Sequence, residues 1–234
     1  MNICLFGISG IPLGKHNVKD PRLDEADRLV EAKKKVYVQV DVVGDDAVAD
    51  ADVIVVSEAS RVDLILRDLE FIETRLGRGP GEAEKAVLEK LSARLEGEGL
   101  IADAGLTAEE AQTIAVHTRW LTSKPVVLAT EAEMVEPDTL VRRAFEASGH
   151  ISFLTVGGKE NRAWQITRGT TAWEAAGAIH TDIQKGFIRA EIISWEDFTA
   201  AGGEAEAKRA NKLRLETKTY VIQDYDLVNF RFNK

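Results

Sequence analysis

The chain has 234 residues, of which 44% are hydrophobic and 29% are charged, and its formal net charge is −9. These values are ordinary for a soluble globular protein of one large or two modest domains, and no apolar run approaches the ~18–20 residues of a membrane span. The acidic balance argues against wholesale wrapping of nucleic acid, and the single cysteine, Cys4, excludes a disulfide within the chain and a cysteine metal cluster. We therefore expect a cytoplasmic protein that contacts no membrane.

The chain opens with a short, mostly apolar run that predicts a buried strand over 2–6, and a glycine-rich segment follows it. A phosphate-binding loop has this setting, and there it reads Gly, four residues, Gly, Lys and Ser or Thr before a helix begins. Here three residues separate Gly10 from Gly14, and His16 follows Lys15 where a metal-binding hydroxyl is needed. A proline six residues after the lysine leaves little room for the helix. The pattern favours a glycine-rich turn over a working phosphate site.

Alternating strand and helix patterns fill the rest of the first 149 residues. Runs rich in β-branched residues, typical of a parallel sheet covered on both faces, predict strands at 36–40, 52–56 and 124–129. Helical spacing predicts helices at 23–35, 62–76, 82–95, 107–120 and 137–149. The second and third of these helices are joined by a turn of Gly and Pro, which predicts a helical hairpin at about 62–96. Together these elements predict an α/β domain over 1–149.

The pattern changes after this point, because short β-rich segments follow one another at 151–156, 163–166, 187–193, 219–222 and 228–232. Thr171 and Glu174 form a capping box, which predicts a helix over 171–179. Strands with a helix between them predict a small α+β domain over 150–234. Residues 151–234 contain 12 Lys and Arg against 11 Asp and Glu, so the first 150 residues carry a net charge near −10. Local basic patches in the carboxyl-terminal domain could therefore still contact RNA.

Several short motifs in this region recur in one protein family. They are SFLTVG at 152–157, RAW at 162–164, AAG at 175–177, IHTD at 179–182, KGFIRAE at 185–191, KLRLE at 212–216, YVIQD at 220–224 and FRFN at 230–233. Over nearly all of 150–234 the chain resembles the TGS-type domain that ends the Obg-like ATPase (YchF) family of translation factors. The resemblance implies a β-grasp fold that contacts RNA, the ribosome or protein partners.

The amino-terminal region resembles the same family less completely. The sequence DPRLD at 20–24 is similar to the segment before the family's second strand, and DVVG at 41–44 is similar to its DxxG motif. In the family the Asp of this motif, here Asp41, supports the metal, and the Gly, here Gly44, senses the terminal phosphate. Asp45 and Asp46 follow directly, and their carboxylates would repel a phosphate. As a bare pattern DxxG is equally typical of a turn after a strand.

Other parts of the family's nucleotide site are altered as well. The switch segment before the DxxG motif is missing, and the short hairpin stands in the place of a coiled-coil insertion. The family reads adenine with Asn-x-x-Glu, but here Thr130 stands in place of Asn, and a single hydroxyl cannot replace the paired contacts of an amide. The resemblance therefore implies a degenerate, reduced P-loop-NTPase-like domain whose nucleotide-binding residues would be Gly10, Gly14, Lys15, Asp41, Gly44 and Glu133.

Positive side chains and one histidine are the candidates for partner contact in the TGS-like domain. His180 alternatively caps a helix or braces a loop, and with Asp182 it supplies only two ligands, too few for a metal site. The basic run that begins at Lys208 is alternatively a solvated face. The candidate partner-binding residues are His180, Lys185, Arg189, Lys208, Arg209 and Lys212.

We expect a non-enzymatic adaptor or regulatory protein, related to the translation-associated Obg-like ATPases, that binds a ribosomal, RNA or protein partner through its TGS-like domain. Two alternatives stay open. One is a residual ATP- or GTP-binding protein or slow NTPase that uses Lys15 and Asp41 with Mg²⁺, and the other is a small-ligand sensor. We expect a cofactor only if the first alternative holds, and no catalytic or metal-ligating residue is assigned.

Overall fold

A computed structural model describes residues 1–117 and 120–233 of the chain. The strands are β1 (Asn2–Phe6), β2 (Gly14–Asn17), β3 (Lys35–Val36), β4 (Gln39–Val43), β5 (Val53–Ser57), β6 (Val126–Ala129), β7 (His150–Thr155), β8 (Asn161–Thr167), β9 (Phe187–Ile193), β10 (Arg214–Glu216) and β11 (Leu227–Phe232). The α-helices are α1 (Pro21–Leu29), α2 (Arg61–Gly77), α3 (Glu82–Glu96), α4 (Ala108–Ile114), α5 (Glu131–Val135), α6 (Pro137–Ala147), α7 (Ala172–Ile179), α8 (Thr181–Lys185), α9 (Trp195–Ala201) and α10 (Glu204–Arg209). None of the described helices combines the length and hydrophobicity that a membrane crossing requires.

The chain divides into two compact units. The amino-terminal unit contains Met1–His16 and Val40–Ser148, and the carboxyl-terminal unit joins Asn17–Gln39 to the chain from Gly149 onward. This division differs from the contiguous domains that the sequence predicts at 1–149 and 150–234, because the segment 17–39 packs within the carboxyl-terminal unit.

The amino-terminal unit is built on a sheet of strand order β2-β4-β1-β5-β6. Strand β1 is parallel to β4 and to β5, and β5 is parallel to β6. Strand β5 is fully buried except for Ser57, as expected of a strand covered on both faces. The predicted hairpin is confirmed as α2 and α3, whose buried faces share a core with Ile72, Leu88 and Leu91 at its centre.

The carboxyl-terminal unit has a mixed sheet of strand order β10-β9-β11-β7-β8-β3. Its neighbouring strands β7 and β11 are parallel, whereas β7 and β8, β9 and β11, and β9 and β10 are antiparallel. Helix α7 packs on this sheet, and Ala172, Ala175 and Ala176 share a core with Phe153 and Phe230. The arrangement agrees with the predicted α+β fold of the β-grasp type.

Three predicted elements were wrong in extent. The strand expected at 36–40 is divided between the two sheets, since β3 ends at Val36 and β4 begins at Gln39. The helix expected over 23–35 ends at Leu29, because Val30 is extended. The strand expected at 219–222 is reduced to one bridge between Val221 and Thr171. The helix predicted over 107–120 includes Thr118 and Arg119, which lie outside the described residues, and α4 ends at Ile114.

A network of charged groups ties the segment 17–39 into the carboxyl-terminal unit. Arg22 donates to Asp20 from Nη2 at 2.7 Å and to Asp224 from Nη1 at 2.8 Å, and its guanidinium lies 3.7 Å from the centroid of the Tyr225 ring. Burial alone would lower the pKa of Arg22, but the bonds to the two carboxylates hold that pKa above its usual value. Asp20 is buried, whereas the side chains of Arg22 and Asp224 are 31% and 33% exposed, so loss of the guanidinium would leave the Asp20 carboxylate buried without its ionic partner.

Asn161 is a second tie, and its side chain is fully buried. Its Nδ2 donates to Oδ1 of Asp27 at 2.7 Å and to the carbonyl of Val30 at 2.5 Å, and its Oδ1 accepts from the Gly157 N–H at 2.8 Å. Its backbone N–H donates to the carbonyl of Lys34 at 2.8 Å, beside the parallel pairing of β3 with β8. The side chain thus satisfies groups from α1, from the end of that helix and from the loop before β8.

We predict that Asn161→Leu destabilises the carboxyl-terminal unit by about 2–3 kcal/mol, because the Gly157 N–H and the Asp27 carboxylate lose a buried partner. Hydrogen–deuterium exchange should show faster exchange in β3 and β8 and unchanged exchange in β5. The control is Asn229→Leu, since Asn229 is exposed on β11 and makes its bond to Glu191 at the surface. Equal effects of the two substitutions would contradict the role assigned to Asn161.

Candidate functional site

The glycine-rich segment after β1 is bonded to a carboxylate from elsewhere in the amino-terminal unit. The Gly7 N–H donates to Oδ1 of Asp45 at 2.9 Å. Gly7 has a φ of 63°, and a Cβ there would lie 2.3 Å from Oγ of Ser60, so both conformation and space require glycine. Ser60 Oγ also donates to the Gly7 carbonyl at 3.2 Å. The start of the loop is therefore held by contacts within the amino-terminal unit.

A strand, not a helix, follows the glycines at Gly10 and Gly14. Both have positive φ, 91° and 109°, and strand β2 begins at Gly14 itself. In a phosphate-binding loop the chain enters a helix at this point, and the free N–H groups of its first turn bind the anion. Nε2 of His16 donates to the carbonyl of Pro12, 2.7 Å away. The described loop thus lacks the helix N-terminus on which phosphate binding depends.

The structure brings Lys15 and Asp41 together as an ion pair across neighbouring strands. Lys15 Nζ lies 3.3 Å from Oδ1 of Asp41, and their side chains are 66% and 46% exposed. Exposed pairs of this kind contribute about 0–1 kcal/mol to stability. The Asp41 carboxylate thus compensates the positive charge of Lys15, which would otherwise attract a phosphate.

Gly44 follows β4, the strand that carries most of the DxxG pattern, and caps the start of a 3₁₀ helix, Asp45–Asp50. Lys124 closes the other end of that helix, because its Nζ donates to the carbonyls of Val48 at 3.3 Å, Ala51 at 2.8 Å and Ala49. Cys4 lies below the same turn, and burial raises the pKa of its thiol to about 12, so the thiol stays protonated. Gly44 is therefore placed in a local turn structure.

Glu133 belongs to a helix cap. Thr130 Oγ1 accepts from the Glu133 N–H at 3.3 Å, and Glu133 Oε2 accepts from the Thr130 N–H at 3.0 Å, which is a reciprocal capping box at the start of α5. Arg143 Nη1 donates to Glu133 at 2.5 Å. Burial raises the pKa of Glu133, but the bonds from Arg143 and Thr130 outweigh this effect and hold the pKa below its usual value. The two residues that correspond to the family's base reader thus cap α5.

Several of the nucleotide candidates already have partners within the described structure. Lys15 and Asp41 pair with each other, Gly44 caps the start of a 3₁₀ helix, and Glu133 is engaged by Arg143. Within residues 1–117 and 120–233, no group of three or more His, Cys, Asp or Glu side chains is arranged to hold a metal ion. These residues do not fit a Mg²⁺–nucleotide in the manner of a phosphate-binding loop.

The partner candidates separate into two groups. His180 lies between α7 and α8, and its Nδ1 accepts from the Asp182 N–H at 3.1 Å, which caps α8. His180 and Lys185 line one cavity of about 790 Å³ that Phe232 also lines. Arg189 is exposed on β9 and is not among the residues that line this cavity.

The basic run is neutralised by neighbouring acids. Lys208 Nζ lies 2.6 Å from Glu204, and Arg209 pairs with Glu206 on the same helix. Lys212 Nζ lies 3.0 Å from Asp197, and this bond holds the pKa of Asp197 below its usual value. Because each cation of the run already has a carboxylate partner, its attraction for phosphate is reduced. The alternative of a solvated, ion-paired face describes these three residues.

Sequence patterns do not predict a groove of about 510 Å³ in the carboxyl-terminal unit. It is lined by residues around β3 and by part of β8, including Lys34, Tyr37 and Trp164. The available signal is the lysine run at 33–35 directly before β-forming residues, together with the RAW motif at 162–164.

Comparison with known proteins places these features in a family. A family model named YchF-GTPase_C, described as a protein of unknown function (DUF933), matches residues 150–233. The "Ribosome-binding ATPase YchF" of Haemophilus influenzae is 34% identical over 227 residues, which cover 74% of this chain and 62% of the relative. The protein of the same name in Bacillus subtilis is 30% identical over 241 residues, covering 75% of this chain and 66% of the relative. The chain belongs to the YchF/Obg-like family.

One further relative and one solved structure are also similar to this chain. The "Obg-like ATPase 1" of Oryza sativa subsp. indica is 46% identical over 94 residues, covering 40% of this chain and 24% of the relative. The structure of the Schizosaccharomyces pombe YchF GTPase matches with a TM-score of 0.72 and 21% identity over 93% of this chain and 86% of that one, which shows a shared fold. The chain spans about two thirds or less of the length of the YchF relatives, at 62% and 66%.

We predict that Glu133→Gln lowers the free energy of unfolding by about 1 kcal/mol near neutral pH. The folded-state pKa of Glu133 lies below the ordinary 4.5, so its contribution is present above that pH and is lost as the pH falls through the folded pKa. Urea denaturation at several pH values should show the difference between wild type and variant shrinking in acid.

Glu131→Gln is the matched control, because Glu131 is an exposed residue in the first turn of the same helix. It should change stability by less than about 0.5 kcal/mol. A wild-type-to-variant difference at Glu133 that stays constant across pH would show that the charge of this carboxylate contributes nothing.

Proposed function

We propose that this YchF/Obg-like chain is a non-catalytic adaptor or regulator that associates with ribosomes in the cytoplasm and binds RNA there. Its relatives carry the name "Ribosome-binding ATPase YchF", and the carboxyl-terminal residues 150–233 match the family's own model. The proposal keeps ribosome association from these relatives and separates it from nucleotide hydrolysis.

The observation that carries the non-catalytic part is the strand that follows the glycine-rich loop. Phosphoryl transfer depends on positioned backbone amides, a lysine and a metal ion around the phosphates. Here β2 replaces the helix whose amides would face a phosphate, and the Lys15 charge is balanced by Asp41. The capping role of Glu133 supports the same proposal for the base-reading position.

The charge distribution supports RNA as the partner of the carboxyl-terminal unit. Residues 17–39 and 149–234 together contain 18 Lys and Arg against 16 Asp and Glu, a net charge of +2, whereas the remaining residues contain 12 against 23, a net charge of −11. Phosphate groups are therefore attracted to one unit and repelled by the other. The contact with RNA is accordingly assigned to the carboxyl-terminal unit.

Residual nucleotide binding is the second candidate, because the relatives are named ATPases. It would use Lys15 and Asp41 after their ion pair opens, with Mg²⁺ and ATP or GTP as ligands. The two candidates differ in one measurable property, the affinity for Mg²⁺–nucleotide.

We predict that calorimetric titration of the full chain with ATP or GTP in the presence of Mg²⁺ detects no binding tighter than about 1 mM, which corresponds to roughly −4 kcal/mol. Lys15→Ala should leave the titration unchanged, since its charge is already paired with Asp41. Micromolar binding that Lys15→Ala removes would instead establish the residual nucleotide-binding protein.

We predict that the full chain sediments with ribosomes through a sucrose cushion and that the bound fraction falls between roughly 50 and 200 mM salt, because phosphate contacts release counterions. Chain without ribosomes serves as the control for self-association. A chain that remains in the supernatant at low salt would overturn the proposed ribosome association.

A further inference from the structure

The groove of about 510 Å³ in the carboxyl-terminal unit combines three kinds of side chain. The residues that contribute side-chain chemistry are the cations Lys34, Lys35 and Arg162, the amides Asn17, Gln39 and Gln165, and the aromatics Tyr37 and Trp164. None of the described lining residues is Asp or Glu. The lining therefore carries three cations, offers hydrogen-bond donors and acceptors, and includes aromatic rings. Two of the cations are paired with carboxylates outside the lining, Lys35 with Asp24 and Arg162 with Glu160.

The basic wall of the groove is formed at the edge of the six-stranded sheet. Strand β3 pairs in parallel with β8, with Lys35 opposite Asn161 and Val36 opposite Arg162. Asp24 accepts from Lys35 Nζ at 2.5 Å and also from the Tyr37 hydroxyl. Since Asp24 holds both side chains from outside the groove lining, their positions are fixed before any ligand arrives.

The aromatic wall is a stack of two planar groups. The Arg162 guanidinium carbon lies 4.4 Å from the centroid of the Trp164 ring, and Trp164 Nε1 donates to Thr155 Oγ1 at 2.9 Å. Phe153 lies behind Trp164 at 6.4 Å with the rings 15° from parallel. The indole orientation is thus set from two sides.

We infer that this groove binds single-stranded RNA. The inference rests on the proposed function and deepens it by naming the surface. Single strands are recognised by cations that follow the phosphates and by aromatic or guanidinium planes on which unpaired bases stack. Lys34 supplies an unpaired cation for the phosphates, and Lys35 supplies a second one that is paired with Asp24. The Arg162–Trp164 stack supplies the plane, and the amides can bond to base edges.

Two features favour a single strand over a duplex or an acidic peptide. The volume is that of a site for a small organic group, so it admits an unpaired base with its phosphates but not a double helix. An acidic peptide would need the cations alone and would leave the stacked planes unused. Lys34 is exposed and, among the described residues, has no ion pair, unlike the cations of the run at Lys208. The other two groove cations are paired, Lys35 with Asp24 and Arg162 with Glu160 at 3.2 Å, so Lys34 carries the free charge of the groove.

The test is fluorescence anisotropy of the full chain with a labelled oligouridylate of about 12 nucleotides, compared with Lys34→Glu. Wild type should bind with a slope of log affinity against log salt between about −0.7, for Lys34 alone, and about −2, for Lys34 together with Lys35 and Arg162 after these two exchange their carboxylate partners for phosphates. The variant should show a shallower slope and roughly tenfold weaker binding. Lys218→Glu is the matched control, because Lys218 is exposed in the same unit and lies outside the groove. It should weaken binding less than about twofold.

Trp164→Ala tests stacking separately from charge. It should weaken binding by roughly tenfold, because the ring of the stacking platform is lost, while leaving the salt slope unchanged. Circular dichroism and thermal melting of each variant establish that it is folded.

Equal effects of Lys34→Glu and Lys218→Glu would overturn the groove, as would duplex RNA or polyglutamate competing as well as the single strand. Sedimentation with ribosomes separates the two proposals. Sedimentation that Lys34→Glu leaves unchanged, without oligouridylate binding, overturns the groove and keeps ribosome association. Oligouridylate binding that depends on Lys34, without sedimentation, supports the groove and overturns ribosome association.

Discussion

The contact of Arg22 with Asp20 and Asp224 is the interaction on which the carboxyl-terminal unit depends. It joins parts of the chain 202 residues apart and lies against Tyr225, a non-glycine residue with a φ of 63°. The Tyr225 N–H donates to the Ser152 carbonyl at 2.7 Å, and Asp224 accepts from the Ser152 N–H at 3.1 Å, so the same turn is bonded to β7. Loss of the guanidinium would leave the buried Asp20 carboxylate and the partly exposed Asp224 carboxylate without their ionic partner, and it would remove a contact from the strained turn at Tyr225. The segment 17–39, and with it β3, is held in the unit by this contact and by Asn161.

The packing of segment 17–39 within the carboxyl-terminal unit constrains the glycine-rich loop that precedes this segment. Because the chain from Asn17 onward packs within the carboxyl-terminal unit, only the residues up to His16 follow the glycines inside the amino-terminal unit. Three or four residues are enough for a strand but not for a helix of two turns, and β2 is the strand that forms. The same path of the chain thus places residues 17–39 in the carboxyl-terminal unit and leaves no room for a helix directly after Gly14. This link gives the proposed non-catalytic role a basis in the fold as well as in the altered motif.

Local signals allowed much of the fold to be predicted, and long-range contacts account for the rest. The hairpin, β1, β5 and the helix capped by Thr171 and Glu174 follow from periodicity and capping within a few residues. The division of 36–40 between two sheets depends on pairing with β8, which no local pattern reveals. At the candidate site, the i,i+4 spacing of Glu204 and Lys208 does indicate an ion pair on a helix, whereas the pairing of Lys15 with Asp41 requires the strand order. The groove escapes sequence analysis for the same reason, because its two walls are distant in the chain.

The hydrogen bonds and ion pairs that polar side chains already make within the fold determine which parts of this chain are available to a partner. No buried side-chain nitrogen or oxygen among the described residues lacks a hydrogen-bond partner, and the charged candidates of the nucleotide region are bonded to one another or to nearby residues. A ligand there would have to replace bonds that already exist, which reduces its net gain. Charge screening over about 8 Å at physiological salt means that an RNA responds to the local groups it meets rather than to the net charge of the chain. A cation whose carboxylate partner lies beside it, such as Lys208, presents a dipole to a phosphate. The same holds in the groove for Lys35, which pairs with Asp24, and for Arg162, which pairs with Glu160. Lys34 differs, because it is exposed, lines the groove and has no ion pair among the described residues. The unpaired charge of Lys34, more than the number of basic residues, therefore favours the groove over the basic run as the surface for RNA.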